Sequence, residues 1–107
     1  MEAKPREIRI YEAEDGTKPF TDWIETLIGG DVYGIILNRL DRVEEGNLVD
    51  CGPVGKGVFE LRIDLGPGYR VYFGQDGDLV VLLGGGTKKT QSRDITIAKD
   101  HWKNYNA

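Results

Sequence analysis

The 107 residues contain one cysteine, Cys51, and one histidine, His101. A lone thiol cannot close an internal disulfide, and so cysteine-poor a chain fits a reducing cytoplasm. One Cys and one His are too few for a metal centre built from those two residue types, so neither a metal nor a small-molecule cofactor is expected. Long apolar runs are also missing. Nothing approaches the ~20 residues needed to span a bilayer, and the opening MEAKPREIRI has no apolar signal-peptide core, so no membrane association is expected. No repeat, low-complexity tract or linker divides the chain, whose length suits one domain over residues 1–107.

What is present is ordinary for a globular protein: 39% hydrophobic and 30% charged residues, with a net charge of −4. The charge is unevenly placed. Residues 1–50 carry 6 Lys/Arg and 12 Asp/Glu, a balance of −6, whereas residues 51–107 carry 8 and 6, a balance of +2. Two readings stand at this level: a basic half that meets an anion, or scatter that moving two or three residues would erase.

REIRIYEA alternates and predicts a first strand, with Ile8 and Ile10 on one face and Arg9 and Tyr11 on the other. Pro19 suits the first turn of a helix in which Phe20, Trp23, Ile24, Leu27 and Ile28 recur at helical spacing. Gly29-Gly30 ends it, and Asp31 is placed to cap a second helix. Val32, Ile36, Leu40 and Val43 form that helix's buried stripe, widened by Tyr33 and Leu37. NLVDCGPVGKG reads as a loop in which Cys51 is a bystander. VFELRIDL, YRVYFGQ and DLVVLLGG read as three strands, the last two joined by a turn at Asp76-Gly77. A final helix follows, capped by Thr90 or Ser92, with Ile95, Ala98, Trp102 and Tyr105 along one side. The predicted order is β-α-α-β-β-β-α, an α+β domain with a mostly antiparallel sheet packed against helices.

The stretch FELRIDLGPGYRVYF holds two arginines inside a hairpin. Matching the apolar faces favours a three-residue loop, Gly66-Pro67-Gly68, pairing Leu65 with Tyr69, Ile63 with Val71 and Leu61 with Phe73. That register sets Arg62 opposite Tyr72 and Asp64 opposite Arg70, on an open polar face. The two arginines then converge on one anion, which planar guanidinium forks bind bidentately. The competing reading is an Arg70–Asp64 pair on a solvated face with Arg62 merely exposed. Beyond the last strand, GGGTKKTQSRD places Lys88, Lys89 and Arg93 around a helix N-terminus, where anions are stabilised. The G-x-x-x-x-G-K-[ST] spacing is absent, which excludes a nucleotide triphosphatase loop. The bland alternative for Lys88 and Lys89 is solubilising charge.

Taken together, ELR…GPGYRVYF, the apolar strand running into GGGTKKTQSRDI and the closing AKDHW resemble RelE/ParE-superfamily toxins of the HigB-like addiction-module type, over roughly residues 56–102. The resemblance implies a RelE-like fold and a cytoplasmic toxin neutralised by a helix-turn-helix antitoxin. It further implies metal-independent cleavage of messenger RNA on the ribosome, in which a 2′-hydroxyl attacks the adjacent phosphate. On that resemblance Arg62 and Arg70 grip the phosphate, and Lys88 or Lys89 fills the basic position after the last strand. Lys89 is assigned with them to catalysis, and Lys56, Lys88 and Arg93 to RNA binding. Tyr72 is the preferred phenol for proton transfer; His101 reads as an exposed or capping residue, and Tyr105 as packing or frayed. The superfamily also contains ParE-like proteins that block DNA gyrase without catalysis, and an inactive antitoxin-binding relative is the third reading.

Overall fold

A run such as LVVLL, apolar at every position, belongs in a strand covered on both faces. The computed structural model, which describes residues 4–107, places it on an inner strand of a five-stranded mixed sheet. The elements are β1 (Glu7–Ile10), α1 (Pro19–Glu25), α2 (Asp31–Glu44), β2 (Cys51–Gly55), β3 (Val58–Ile63), β4 (Tyr69–Asp76), β5 (Leu79–Thr87), a 3-10 turn (Lys88–Thr90) and α3 (Gln91–Tyr105). The sheet order is β1-β5-β4-β3-β2; β1 runs parallel to β5 and every other neighbour pair is antiparallel. The fold is α+β with three helices, and no helix among the described residues is long and apolar enough to cross a membrane.

Strand alternation sends two sets of side chains to opposite faces. On one face Leu61, Ile63, Val71, Phe73, Val80 and Leu82 pack with Phe20, Ile24, Ile36, Leu40 and Val43 of α1 and α2. On the other, Val58, Tyr72, Val81 and Leu83 pack with Tyr11 and with Ala98, Ile95 and Trp102 of α3. Each face also carries a tryptophan laid flat on the backbone. A Cβ at Gly85 would lie 2.2 Å from the Trp23 ring, and one at Gly74 would lie 2.4 Å from the Trp102 ring. Glycine is required at both places by the close approach.

Four expectations are corrected. The segment read as a loop contains β2, which pairs with β3 from Cys51↔Leu61 to Gly55↔Val58, with an irregularity between Pro53 and Gly55. Pro53 tolerates this place because β2 is an edge strand, where its missing N–H breaks no inner ladder. Leu37 is 38% exposed, leaving Ile36, Leu40 and Val43 as the buried stripe of α2. The hairpin register is displaced by two residues: Ile63 pairs with Tyr69, Leu61 with Val71, and Arg62 with Arg70. Finally, the polar face of that hairpin is not open, because α3 covers it.

The displacement leaves every side chain on its expected face, since the side-chain period is two. It lengthens the loop to five residues, Asp64–Gly68, and releases Leu65 to 43% exposure. Gly66 and Gly68 take positive φ of 54° and 77°, and the Gly68 N–H donates to the Leu65 carbonyl at 3.0 Å. Two longer-range bonds hold this register. The Lys88 N–H donates to the Gly68 carbonyl at 2.8 Å, and the Arg62 N–H donates to the Asp50 carbonyl at 3.1 Å.

The glycine contacts predict opposite effects at different sites. Gly85→Ala and Gly74→Ala each lower the unfolding free energy by about 1–3 kcal/mol through overpacking. Gly34→Ala, inside α2 with nothing within 4 Å of the new methyl, raises it by about 0.5–1 kcal/mol. Urea denaturation of the three variants measures all of these shifts.

Candidate functional site

Two guanidinium groups directly opposite across β3 and β4 repel, so the structure must supply an anion between them. Glu60, two residues before Arg62 and therefore on the same face, is that anion. Its Oε1 lies 4.0 Å from Arg62 Nε and its Oε2 lies 3.8 Å from Arg70 Nε. The Gln91 amide donates to Glu60 Oε2 at 2.7 Å from the first turn of α3. Glu60 and Arg70 are each only 6% exposed, while the Arg62 side chain is 56% exposed. Asp64, almost fully exposed, sits 3.9 Å from Arg70 Nη1. The Asp64–Arg70 pair of the competing reading therefore forms, although the two residues are not directly opposite and Arg70 is buried.

The sequence-predicted residues separate into three groups. Arg62, Arg70 and Lys88 are brought together. A Cβ at Gly68 would be 3.5 Å from both Arg70 Nη1 and Lys88 Cβ, so Gly68 is wedged between them. Lys89 and Arg93 line a shallow groove on the exposed flank of α3 with Thr90, Ser92, Thr96 and Ile97, and Arg93 Nε lies 3.6 Å from Asp94 Oδ1. Lys56 is elsewhere. It occupies the β2–β3 turn at φ 56° and lines a different groove with Lys99, Trp102 and Lys103. It stands six positions before Arg62 at the far end of β3, at most roughly 20 Å away.

Tyr72 is fully buried, and among the described residues its hydroxyl has no hydrogen-bond partner, nor does Arg70 Nε. Burial pushes the Tyr72 phenol well above its ordinary value, Glu60 and Asp94 push it further, and Arg70 only partly opposes them. A phenol so placed does not exchange protons with a ligand at the surface, which corrects its assignment as the proton-transfer group. His101 is half-buried against the Tyr11 ring, at 4.9 Å between centroids, rather than exposed or capping. Tyr105 stacks on Trp102 at 5.1 Å and donates to Asp76, so it packs. Cys51 is part of β2, with its thiol pushed up to about 11 by burial.

Sequence reasoning missed Glu60, Gln91, Thr90 and Asp94 as members of the site. Thr90 Oγ1 donates to Asp94 Oδ2 at 2.5 Å, and a Cβ at Gly86 would collide with that carboxylate at 1.9 Å. The third glycine of GGG thus lets the start of α3 descend onto β5. The available signal for Glu60 was its i, i+2 placement before Arg62 on one strand face. Gln91 offered none, because its reach to Glu60 depends on how α3 crosses the sheet.

Two measurements follow from this geometry. Tyr72→Phe removes a hydroxyl with no partner, so it leaves stability unchanged or raises it by up to about 1 kcal/mol in thermal unfolding. For His101, burial lowers the folded-state pKa and Asp100 only partly opposes. The unfolded chain therefore binds the proton more readily than the folded one. Stability is complete above the unfolded value of about 6.5 and falls as the pH drops below it. His101→Phe, which keeps an aromatic ring against Tyr11, shows a shallower loss of melting temperature between pH 7.5 and 5.5 than the parent.

Comparison with known proteins adds a relationship and no activity. No family model matches the chain, and no solved structure does. A protein of Haemophilus influenzae, described only as an uncharacterized protein, is 46% identical over 84 residues, covering 78% of this chain and 85% of its own. Identity at that level makes them relatives over most of both chains. The chain belongs to the same family as this uncharacterized Haemophilus influenzae protein.

Proposed function

We propose that the protein is the toxin of a type II toxin–antitoxin module, a RelE/ParE-superfamily endoribonuclease that cuts messenger RNA on the ribosome without a metal. One observation carries the reading: Arg62 and Arg70 are directly opposite on β3 and β4, with Lys88 tied to the adjoining loop and the start of α3 beside them. The fold adds support, since a β-α-α start followed by an antiparallel sheet and a last helix is what the HigB-like resemblance leads one to expect.

The chemistry asks for positive charge around a pentacoordinate phosphate. The 2′-oxygen attacks the neighbouring phosphorus in line, the bond from phosphorus to the 5′-oxygen breaks, and a 2′,3′-cyclic phosphate and a 5′-hydroxyl remain. Arg62, the exposed member of the pair, receives a phosphate oxygen, and Arg70 supports it from beneath. Lys89 adds charge at the edge, while Lys88 and Arg93 guide the flanking backbone. Lys56, at the far end of β3, touches RNA only outside the cleaved bond. The natural partners on this reading are a helix-turn-helix antitoxin, the ribosome and mRNA, in the cytoplasm.

A second reading, ParE-like inhibition of DNA gyrase without catalysis, is favoured by one observation: the phenol nearest the arginines, Tyr72, is sealed in the core. Induced expression with mapping of RNA 5′ ends separates the two. New internal mRNA ends are expected, and Arg62→Ala lowers their yield about 10²–10³-fold. Undiminished cleavage in Arg62→Ala sinks the nuclease assignment to this site. Growth arrest with DNA damage and no new RNA ends selects the inhibitor.

A further inference from the structure

The arginine pair supplies charge, but a 2′-hydroxyl must also lose a proton, and the buried Tyr72 cannot take it. Among the described residues, Glu60 meets the geometric requirements of a general base: proximity to the phosphate grip, a fixed orientation and a free lone pair. Its two oxygens are differently employed. Oε2 accepts the Gln91 amide at 2.7 Å, which fixes the rotamer of the carboxylate. Among the described residues Oε1 has no hydrogen-bond partner, and it lies 4.0 Å from Arg62 Nε. Oε1 faces Arg62, whose side chain is 56% exposed, while the Glu60 side chain itself is 8% exposed. The carboxylate is held by Gln91 on one oxygen and faces the exposed arginine with the other.

We propose that Glu60 is the general base of the reaction and Gln91 the residue that positions it, an inference that rests on the nuclease reading above. A phosphate oxygen taking a hydrogen bond of about 2.8 Å from Arg62 brings the adjacent ribose close to Oε1. Glu60 Oε1 takes the 2′-hydroxyl proton as the 2′-oxygen bonds to phosphorus. The 5′-oxygen leaves and collects a proton from solvent water. The proton on Glu60 then returns to the hydroxide so formed, which restores the carboxylate and balances the step. The arrangement also gives a place to a carboxylate set between two arginines: the groups that hold the phosphate also hold the base beside it.

The test uses the full chain with bacterial ribosomes programmed with a short mRNA, in single turnover. Glu60→Gln keeps the shape of the side chain and its contact with Gln91. It lowers the cleavage rate by about 10²–10³-fold, while binding of the same mRNA with a 2′-deoxy nucleotide at the cleaved position stays within about threefold. The rising limb of the pH–rate profile, present in the parent, is absent in this variant. Glu60→Asp recovers part of the rate and keeps the rising limb. Gln91→Leu lowers the rate without removing that limb, because the base remains and only its orientation is lost. A Glu60→Gln rate within about threefold of the parent overturns the inference and leaves the nuclease reading intact. Rate and binding falling together also overturn it, since that marks a purely structural role. If Glu60→Gln does not fold, Glu60→Asp and Gln91→Leu decide, and parental rates in both overturn the base. A parent that cleaves no mRNA defeats the nuclease reading itself, and the base role falls with it.

Discussion

Arg62 opposite Arg70 is a register that two antiparallel strands adopt only if something cancels the repulsion between them, and the whole polar end of the sheet follows from how this is done. Glu60 lies within 4.0 Å of both guanidinium groups and is itself held by Gln91. Glu60 and Arg70 are both more than nine-tenths buried, so the trio costs desolvation that its ion pairs must offset. Such a cluster is a poor source of net stability but a strong specifier of register. Slipping β3 against β4 by two residues, to the alternative that the apolar faces equally permit, leaves the carboxylate without its second guanidinium. Taking one member away from a buried charged set costs about 3–5 kcal/mol, which exceeds what one extra Leu65 contact returns.

From that cluster the role of α3 follows. Its first turn is polar because it must satisfy Glu60, and it descends close to β5 because Gly86 leaves room for Asp94 and Thr90. Its later turns are apolar inward because they cover Val58, Val81 and Leu83, and Trp102 lies flat on Gly74. One helix therefore roofs both the charged end and the hydrophobic middle of the same sheet face. Motion of its first turn exposes Arg70 and Glu60, whereas motion of its last turns uncovers core. The two ends are not equivalent, and the charged one opens at the smaller hydrophobic cost.

Much of this was legible in the sequence. The period-two alternation of VFELRI and YRVYF assigns every side chain to its correct face, and the helical spacing of Phe20, Ile24, Ile36, Leu40 and Val43 marks the core of the opposite layer. Register was not legible, because a slip of two residues preserves all faces; what decides it are backbone bonds from Lys88 and to Asp50, remote in sequence. β2 was hidden for a different reason. CGPVG carries turn residues, yet an edge strand tolerates them where an inner strand does not. The covering of the polar face by α3 was hidden too, because amphipathic spacing says which side of a helix is buried and not what lies beneath it. Reading Tyr72 as a surface phenol failed at that step.

The acidic total also reads differently once the chain is folded. Lys56, Lys99 and Lys103 line one groove, Lys89 and Arg93 line the next, and Thr96 borders both. Five of the eight basic residues of the second half thus lie along one flank of α3 and its neighbouring turn, with Asp100 between them. The +2 balance of residues 51–107 is therefore organised in space rather than scattered. A polyanion responds to the local field within about a Debye length of 8–10 Å, so a net −4 spread over the whole chain does not repel it from such a flank. The flank leads to the start of α3, where Lys88 and the exposed Arg62 stand. An anion steered along it arrives at the end of the sheet where the guanidinium pair and its carboxylate lie.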